Sequence, residues 1–265
     1  MRKCRTVQGR QNTVWSLWVL LAGLIGLLSW CAVAMPTSEG ITFERTRVIY
    51  PASAKKGIMF TVTNRTSTVY LLQSRVLPWR TTPSAEDEGG IEAIATPFIV
   101  LPPLLRFPPD EAITLRIQLI QHDALPQDRE SLFSLSLKTI PNQSKSGRDP
   151  HHDASGASIV LALQNNLKLF YRPEGLAVMG ADDRAAALQF SASGGHLNVT
   201  NPTPYYVTLG ALDVGATAVP FGDGRMLAPF SSVTYNVPVR AAAEVSWQVI
   251  DDDGERTPTL RRVLP

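Results

Sequence analysis

Residues able to do chemistry are few in this 265-residue chain, and they are scattered. His122, His151, His152 and His196 are all of its histidines. His151-His152-Asp153 has the residue types of half a metal site, but adjacent side chains on a strand face opposite ways. The triplet also lies in a polar stretch, as a loop would. No Gly-x-Ser-x-Gly surrounds any serine, and His-Glu-x-x-His is absent. The only cysteines, Cys4 and Cys31, both fall in the N-terminal apolar region. Asp251-Asp252-Asp253-Gly254 has the acidity of a calcium loop without its later, spaced oxygen ligands, and it reads as a hairpin turn. Asp87 and Glu88 sit in a Gly-terminated loop beside no recognisable partner. The residue pattern therefore points away from an enzyme and implies no cofactor and no metal.

A second set of charges is isolated inside apolar, strand-like runs: Arg47, Glu130, Lys168 and Arg172. A lone charge on a strand usually faces water. The stretch Ser158–Pro173 that carries Lys168 and Arg172 is long, however, and Ile159, Leu161 and Leu163 alternate at its start. Such a strand either spans a core or presents an edge to another chain, and alternation alone leaves both readings open.

The elements that must position these residues are strands. Period-2 patterning predicts strands at Ile41–Tyr50, Gly57–Asn64, Val69–Val76, Phe98–Phe107, Ala112–Leu119 and Ser131–Ile140, then the Ser158–Pro173 stretch. Pro102-Pro103 breaks one of them, which places it at a sheet margin or makes it switch sheets. No helical period is visible. The fold class is all-β, an antiparallel immunoglobulin-like sandwich without an intersheet cysteine pair. Pro173-Glu174-Gly175 reads as a hinge. Beyond it, Ala185–Ala192, His196–Asn201, Tyr205–Leu212, Gly224–Leu227, Ser232–Val237 and Glu244–Ile250 predict a second small sandwich. No internal repeat is strong enough to read as a duplication.

Arg2, Lys3, Arg5 and Arg10 precede an apolar run, Val14 to Val33, which ends in Ala32-Val33-Ala34. This is the pattern of a cleaved export signal over residues 1–34. The run also approaches the length of a membrane span, about 20 residues, so an uncleaved anchor is the competing reading. Cleavage leaves 21 basic against 23 acidic residues and no thiol. A net charge near zero gives no reason to expect nucleic acid or an anionic membrane as partner. The expected divisions are 1–34, 35–172 and 173–265.

Four stretches match a known family. Leu125–Phe133 (L-P-Q-D-R-E-S-L-F, closing at Ile140-Pro141), A-L-Q-N-N-L-K-L-F-Y-R-P within the long strand, N-P-T-P-Y-Y-V at Asn201–Val207 and T-P-F-I-V-L-P-P-L-L-R-F at Thr96–Phe107 resemble the periplasmic pilus chaperones of chaperone–usher systems, the PapD-like family. The likeness runs in order through both expected domains. It implies two immunoglobulin-like domains set as a boomerang, a pilin bound in the cleft, and delivery of that pilin to an outer-membrane usher. It implies donor-strand complementation, in which Ile159, Leu161 and Leu163 fill the groove left by the pilin's missing strand. By position it makes Arg47 and Lys168 the anchors of the pilin's terminal carboxylate. It makes Glu130, Arg172 and Asp252 an interdomain salt-bridge set. An exposed apolar edge of this kind also favours self-association of the free chain.

The sequence departs from the family pattern at Ser136 and Lys138, where Asn and Arg are usual, and at Pro109-Asp110-Glu111, which replaces a Pro-Gly turn. The Asn142–Ala157 loop is long but lacks the cysteine pair of the long-loop subclass. The competing class is an exported adhesin or carbohydrate-binding module, which would display aromatics on one sheet face. After cleavage only Trp79 and Trp247 remain as tryptophans, far apart in sequence.

Overall fold

A computed structural model describes residues 39–80, 96–121, 125–142, 161–240 and 242–264. The expected export signal, His122, the His151-His152-Asp153 triplet, Ile159 and most of the 142–157 loop lie outside the described residues.

Nine strands build the first sandwich: β1 (Ile41–Phe43), β2 (Arg47–Pro51), β3 (Ile58–Asn64), β4 (Tyr70–Pro78), β5 (Phe98–Leu101), β6 (Leu104–Phe107), β7 (Ala112–Leu119), β8 (Ser131–Pro141) and β9 (Leu163–Arg172). One sheet has the order β1-β3-β7-β5, the other β2-β9-β8-β4-β6. Alternation sets the faces: Phe60 and Val62 of β3, Leu115 and Ile117 of β7, and Leu135 and Leu137 of β8 point into one buried core. Tyr50 closes the core from β2, its ring edge-on to Phe98, and its hydroxyl accepts the Leu119 N–H at 3.2 Å.

Two runs read as single strands are each divided between the sheets. The run Phe98–Phe107 breaks at Pro102-Pro103, so that β5 pairs with β7 in one sheet and β6 with β4 in the other. The Ile41–Tyr50 run divides the same way without a proline: β1 pairs with β3, the chain crosses over Glu44–Thr46, and β2 pairs with β9. That crossing places Arg47 at the first position of β2.

The second sandwich contains β10 (Gln189–Ser193), β11 (His196–Asn201), β12 (Val207–Val214), β13 (Thr217–Ala218), β14 (Met226–Leu227), β15 (Ser231–Tyr235), β16 (Glu244–Ile250) and β17 (Leu260–Val263). Its sheets have the orders β10-β11-β15 and β13-β12-β16-β17, with β14 also on β12. Trp247 lies at the centre of its core against Phe190, with ring centroids 4.4 Å apart.

The strand expected over Ala185–Ala192 and the absence of helix are corrected here. A helix, α1 (Ala181–Ala187), precedes β10. Asp183 accepts the Gly180 N–H at 3.0 Å, and the acidic first turn suits the helix N-terminus. The Trp247 indole N–H donates to the Ala185 carbonyl at 3.0 Å and ties α1 to the core. Gly222–Arg225 likewise forms a 3-10 turn ahead of a two-residue β14, where a strand is expected over Gly224–Leu227.

The two sandwiches share a corner that sequence comparison of the halves misses. Asn64 ends β3 and Asn201 ends β11, and both are fully buried. Each Oδ1 accepts the N–H and the hydroxyl of the threonine two residues on, Thr66 or Thr203. Each Nδ2 donates to the carbonyl four residues on, Thr68 or Tyr205, and to a second strand end. An asparagine can satisfy all of these backbone groups at a sharp corner, where apolar residues would leave them unpaired. Only Val-Thr-Asn-x-Thr is common to the two segments (residues 62–66 and 199–203), too little to register as a repeat.

Candidate functional site at the junction of the sandwiches

The long strand expected over Ser158–Pro173 begins, within the described residues, as extended chain at Leu161 and becomes β9 at Leu163. β8 covers one edge of β9 along its whole length, from Thr139↔Leu163 to Ser131↔Tyr171. β2 covers the other edge only from Lys168 to Arg172, running parallel. Among the described residues, positions 163–167 therefore have an open edge. Leu167, Leu169 and Tyr171 turn towards the first core, and Leu163 shares their face by alternation. Leu161 and Leu163 are 69% and 61% exposed. These two side chains continue a core-facing row beyond the core itself.

The open edge ends at two cations. Arg47 and Lys168 are register partners across β2 and β9, so their side chains leave the same face of the sheet. Arg47 is 8% exposed, with its guanidinium 5.7 Å above the Phe170 ring. Its Nη1 donates to the Ile250 and Asp251 carbonyls at 3.1 and 2.8 Å. The Lys168 ammonium lies 5.5 Å from the centre of the Trp79 ring. Among the described residues no carboxylate pairs with either cation. Burial, then repulsion by Arg47 and Arg225, pulls the Lys168 pKa down to about 8. Burial also lowers that of Arg47, which stays charged. Asp252, Asp251 and Glu130 act on Arg47 only at a distance, so among the described residues neither cation of the pair is held in a salt bridge.

Beside them lies a satisfied ion cluster that joins the sandwiches. Arg172, on the last position of β9, bonds Glu130 at 2.8 Å and Asp252 at 3.0 Å. Arg184 of α1 bonds the other Asp252 oxygen at 3.0 Å. The Tyr205 ring lies about equally near the two guanidiniums, 5.1 and 5.3 Å from them. The second Glu130 oxygen accepts the Tyr206 N–H at 2.8 Å, and the Glu130 N–H donates to the Pro204 carbonyl at 2.9 Å. Burial pushes the Glu130 carboxyl up despite Arg172, whereas Asp252 is held down by both arginines against the effect of its burial. Arg172 is raised, because Asp252 and Glu130 outweigh its desolvation.

Sequence reasoning singled out Glu130, Arg172 and Asp252 but not Arg184 or Tyr205. Arg184 stands one residue before the Ala185–Ala192 run read as a strand. Tyr205 stands inside the N-P-T-P-Y-Y-V motif, where nothing about its type marks it as a spacer between guanidiniums. The Asp251–Gly254 segment is a turn: Asp251 Oδ1 accepts the Asp253 and Glu255 N–H groups at 3.0 and 2.8 Å. Among the described residues no group of three or more His, Cys, Asp or Glu could hold a metal ion, and no helix is long and apolar enough to cross a membrane.

Comparison with known proteins agrees across both sandwiches. Residues 40–177 match the family "Pili and flagellar-assembly chaperone, PapD N-terminal domain", and residues 183–260 match "Pili assembly chaperone PapD, C-terminal domain". The chaperone protein FimC of Escherichia coli K12 is 33% identical over 245 residues, covering 92% of each chain. The chaperone protein PsaB of Yersinia pestis is 32% identical over 228 residues, covering 79% of this chain and 78% of its own. The chaperone in the Salmonella enterica complex of the SafA pilin with the SafB chaperone superposes with a TM-score of 0.69 at 27% identity, covering 87% of this chain and 99% of that one. The E. coli chaperone DraB gives 0.67 at 31% identity, covering 85% and 98%. With both domain models matched in order and relatives above 30% identity over most of its length, the chain belongs to the PapD-like family of pilus-assembly chaperones.

Proposed function

We propose that this chain binds a pilin subunit by lending it the open edge of β9 and anchoring the pilin's terminal carboxylate on Arg47 and Lys168. The observation that carries this reading is the continuity of the two features. An edge unpaired among the described residues, with exposed Leu161 and Leu163, runs directly into buried Arg47 and half-buried Lys168, two cations with no salt-bridge partner there. Main-chain hydrogen bonds along the edge would supply affinity and the alternating leucines specificity, as in other strand additions. Each buried leucine would contribute roughly 1.5–3 kcal/mol before the ordering cost of association. Ile159, two residues before Leu161, would extend the row. The carboxylate would fix the register, since a one-residue slip turns every donor side chain to the wrong face.

The wider reading follows the family. The chain acts in the periplasm after loss of residues 1–34, with domains 35–172 and 173–265, holds pilins out of aggregation and passes them to an usher. The complex of the SafA pilin with the SafB chaperone supports a pilin as partner. Nothing in the cluster at the junction calls for catalysis. The test is co-expression of the chain with the pilins encoded beside it, followed by affinity purification. Leu161→Thr/Leu163→Thr is expected to fold normally, since both side chains are exposed, and to lose the pilin. Undiminished co-purification of the double variant would overturn the donor role.

A further inference from the structure

The row that holds Arg47 and Lys168 continues one strand further. Ser134 of β8 is the register partner of Lys168 across the antiparallel β8–β9 pair, so its side chain leaves the same face as the ammonium and lies beside it. Ser134 is 6% exposed, and its hydroxyl has no hydrogen-bond partner among the described residues. Neighbouring Trp79, whose ring carries the Lys168 ammonium, also has a buried indole N–H without a partner among the described residues. A buried hydroxyl left unpaired is costly, and buried polar groups in folded proteins are with few exceptions bonded. An unmet donor between the anchor lysine and a tryptophan therefore wants an acceptor that arrives from outside.

We propose that Ser134 is a third ligand of the anion held by Arg47 and Lys168, donating its hydroxyl hydrogen to the terminal carboxylate of the bound chain. The assignment rests on the carboxylate-anchor reading given above. The chemistry is complementary. An ionised carboxylate has about four lone-pair sites. Arg47 has already committed Nη1 to two carbonyls, leaving Nε and Nη2 without partners among the described residues. Those N–H groups and the Lys168 ammonium come from one side of the row, and Ser134 supplies a neutral donor from the other. A neutral donor adds affinity without adding to the repulsion between the cations. The Ser134 hydroxyl can also accept, but the hydrogen bond it donates is about twice as strong to an ionised carboxylate as to a neutral amide, and that difference favours the free acid. Ser134 is thus a specificity residue for a free chain terminus.

The test uses a peptide carrying the last strand of a pilin recovered with the wild-type chain, prepared with a free C-terminal carboxylate and as the C-terminal amide. Ser134→Ala should keep the thermal midpoint at or above wild type, because it removes an unpaired buried hydroxyl. It should weaken the acid peptide about tenfold, equivalent to ~1.4 kcal/mol, and the amide peptide by a smaller factor. Ser134→Thr, which keeps the hydroxyl, should retain most of the acid preference. If Ser134→Ala binds both peptides as wild type does, or loses the same factor for both, the assignment to Ser134 is overturned while the anchor stands. If the wild-type chain itself fails to distinguish acid from amide, the anchor reading fails and takes this inference with it.

Discussion

Arg47 and Lys168 stand opposite each other in the parallel β2–β9 pair, two cations in register with no carboxylate between them. Like charges placed this way oppose folding. The arrangement is the reverse of the neighbouring Arg172–Asp252 contact, where each charge is met. The free chain thus carries a repulsion that an incoming anion relieves.

Removing one of the two charges should therefore separate stability from binding. Lys168→Met keeps the length and apolar stem of the side chain while deleting its charge. Its thermal midpoint is expected to rise, and its pilin complex to be lost. Arg47→Ala differs, because Nη1 also bonds the Ile250 and Asp251 carbonyls, so that variant should lose stability together with binding. Thermal melts beside pull-down of the pilin check both; a Lys168→Met chain that melts below wild type contradicts the repulsion.

The lowered Lys168 pKa makes both properties depend on pH. In the folded free chain the ammonium titrates at about 8, against 10.5 for an ordinary lysine. Between those values the unfolded chain holds more protons, so Lys168 makes stability rise with pH across that window, and its full penalty applies below pH 8. Binding runs the other way. A carboxylate favours the charged form, so affinity should be flat from pH 6 to 7.5 and fall above pH 8 by up to tenfold per unit, within the limits of this one site. Titration calorimetry in buffers of different ionisation enthalpy should detect proton uptake on binding at pH 9, and Lys168→Arg should remove it.

Asp252 holds two arginines, so its loss should cost more than that of one surface pair. Asp252→Asn leaves Arg172 and the well-buried Arg184 without their shared carboxylate. Breaking a fully buried pair costs about 3–5 kcal/mol, and the partial exposure of Asp252 argues for less, ~2–3 kcal/mol. The sign with pH is distinct from that of Lys168. Asp252 is held below the usual carboxylate value, so its stabilisation is present above about pH 4 and lost as pH falls through the folded value. Urea melts of variant and wild type should differ most near neutrality and converge as pH falls through the lowered Asp252 value. A constant difference would show that packing, not charge, sets the cost.

Much of the fold was legible because period-2 alternation survives in the strands that bury one face, as in β3, β7 and β16. The division of the first strand was not, because nothing in Glu44–Thr46 resembles the Pro102-Pro103 break that marks the equivalent switch between β5 and β6. Helix α1 spans under two turns, too short for a 3.6-residue period to emerge, and β17 is a short, mostly exposed strand with two arginines. At the junction, pattern alone showed only lone charges on strands. Arg47 and Lys168 come together through a pairing between strands about 120 positions apart in the chain, and local spacing cannot express such a pairing. Motif likeness reached them, whereas it gave no role to Tyr205, which lies inside a matching stretch, or to Arg184 and Ser134.

Gly254 lies against Thr46, the residue before Arg47, and it offers a test of the junction that leaves every charge in place. Its φ is +97°, a region that residues with a Cβ avoid, and a Cβ built there would lie 2.6 Å from the Thr46 Oγ1. The glycine thus lets the Asp251–Gly254 turn close onto the chain just before β2. That closure brings the Ile250 and Asp251 carbonyls to Arg47 Nη1 and Asp252 to Arg172. Gly254→Ala should cost ~1–2 kcal/mol from backbone strain alone, and it should weaken pilin binding by displacing the Arg47 fork. Gly254→Ala/Thr46→Ala removes the clash but not the strained φ. It should recover binding more fully than stability, read as pull-down against thermal midpoint. Equal recovery of both would mean that the close approach to Thr46, and not the backbone conformation, is what the glycine serves.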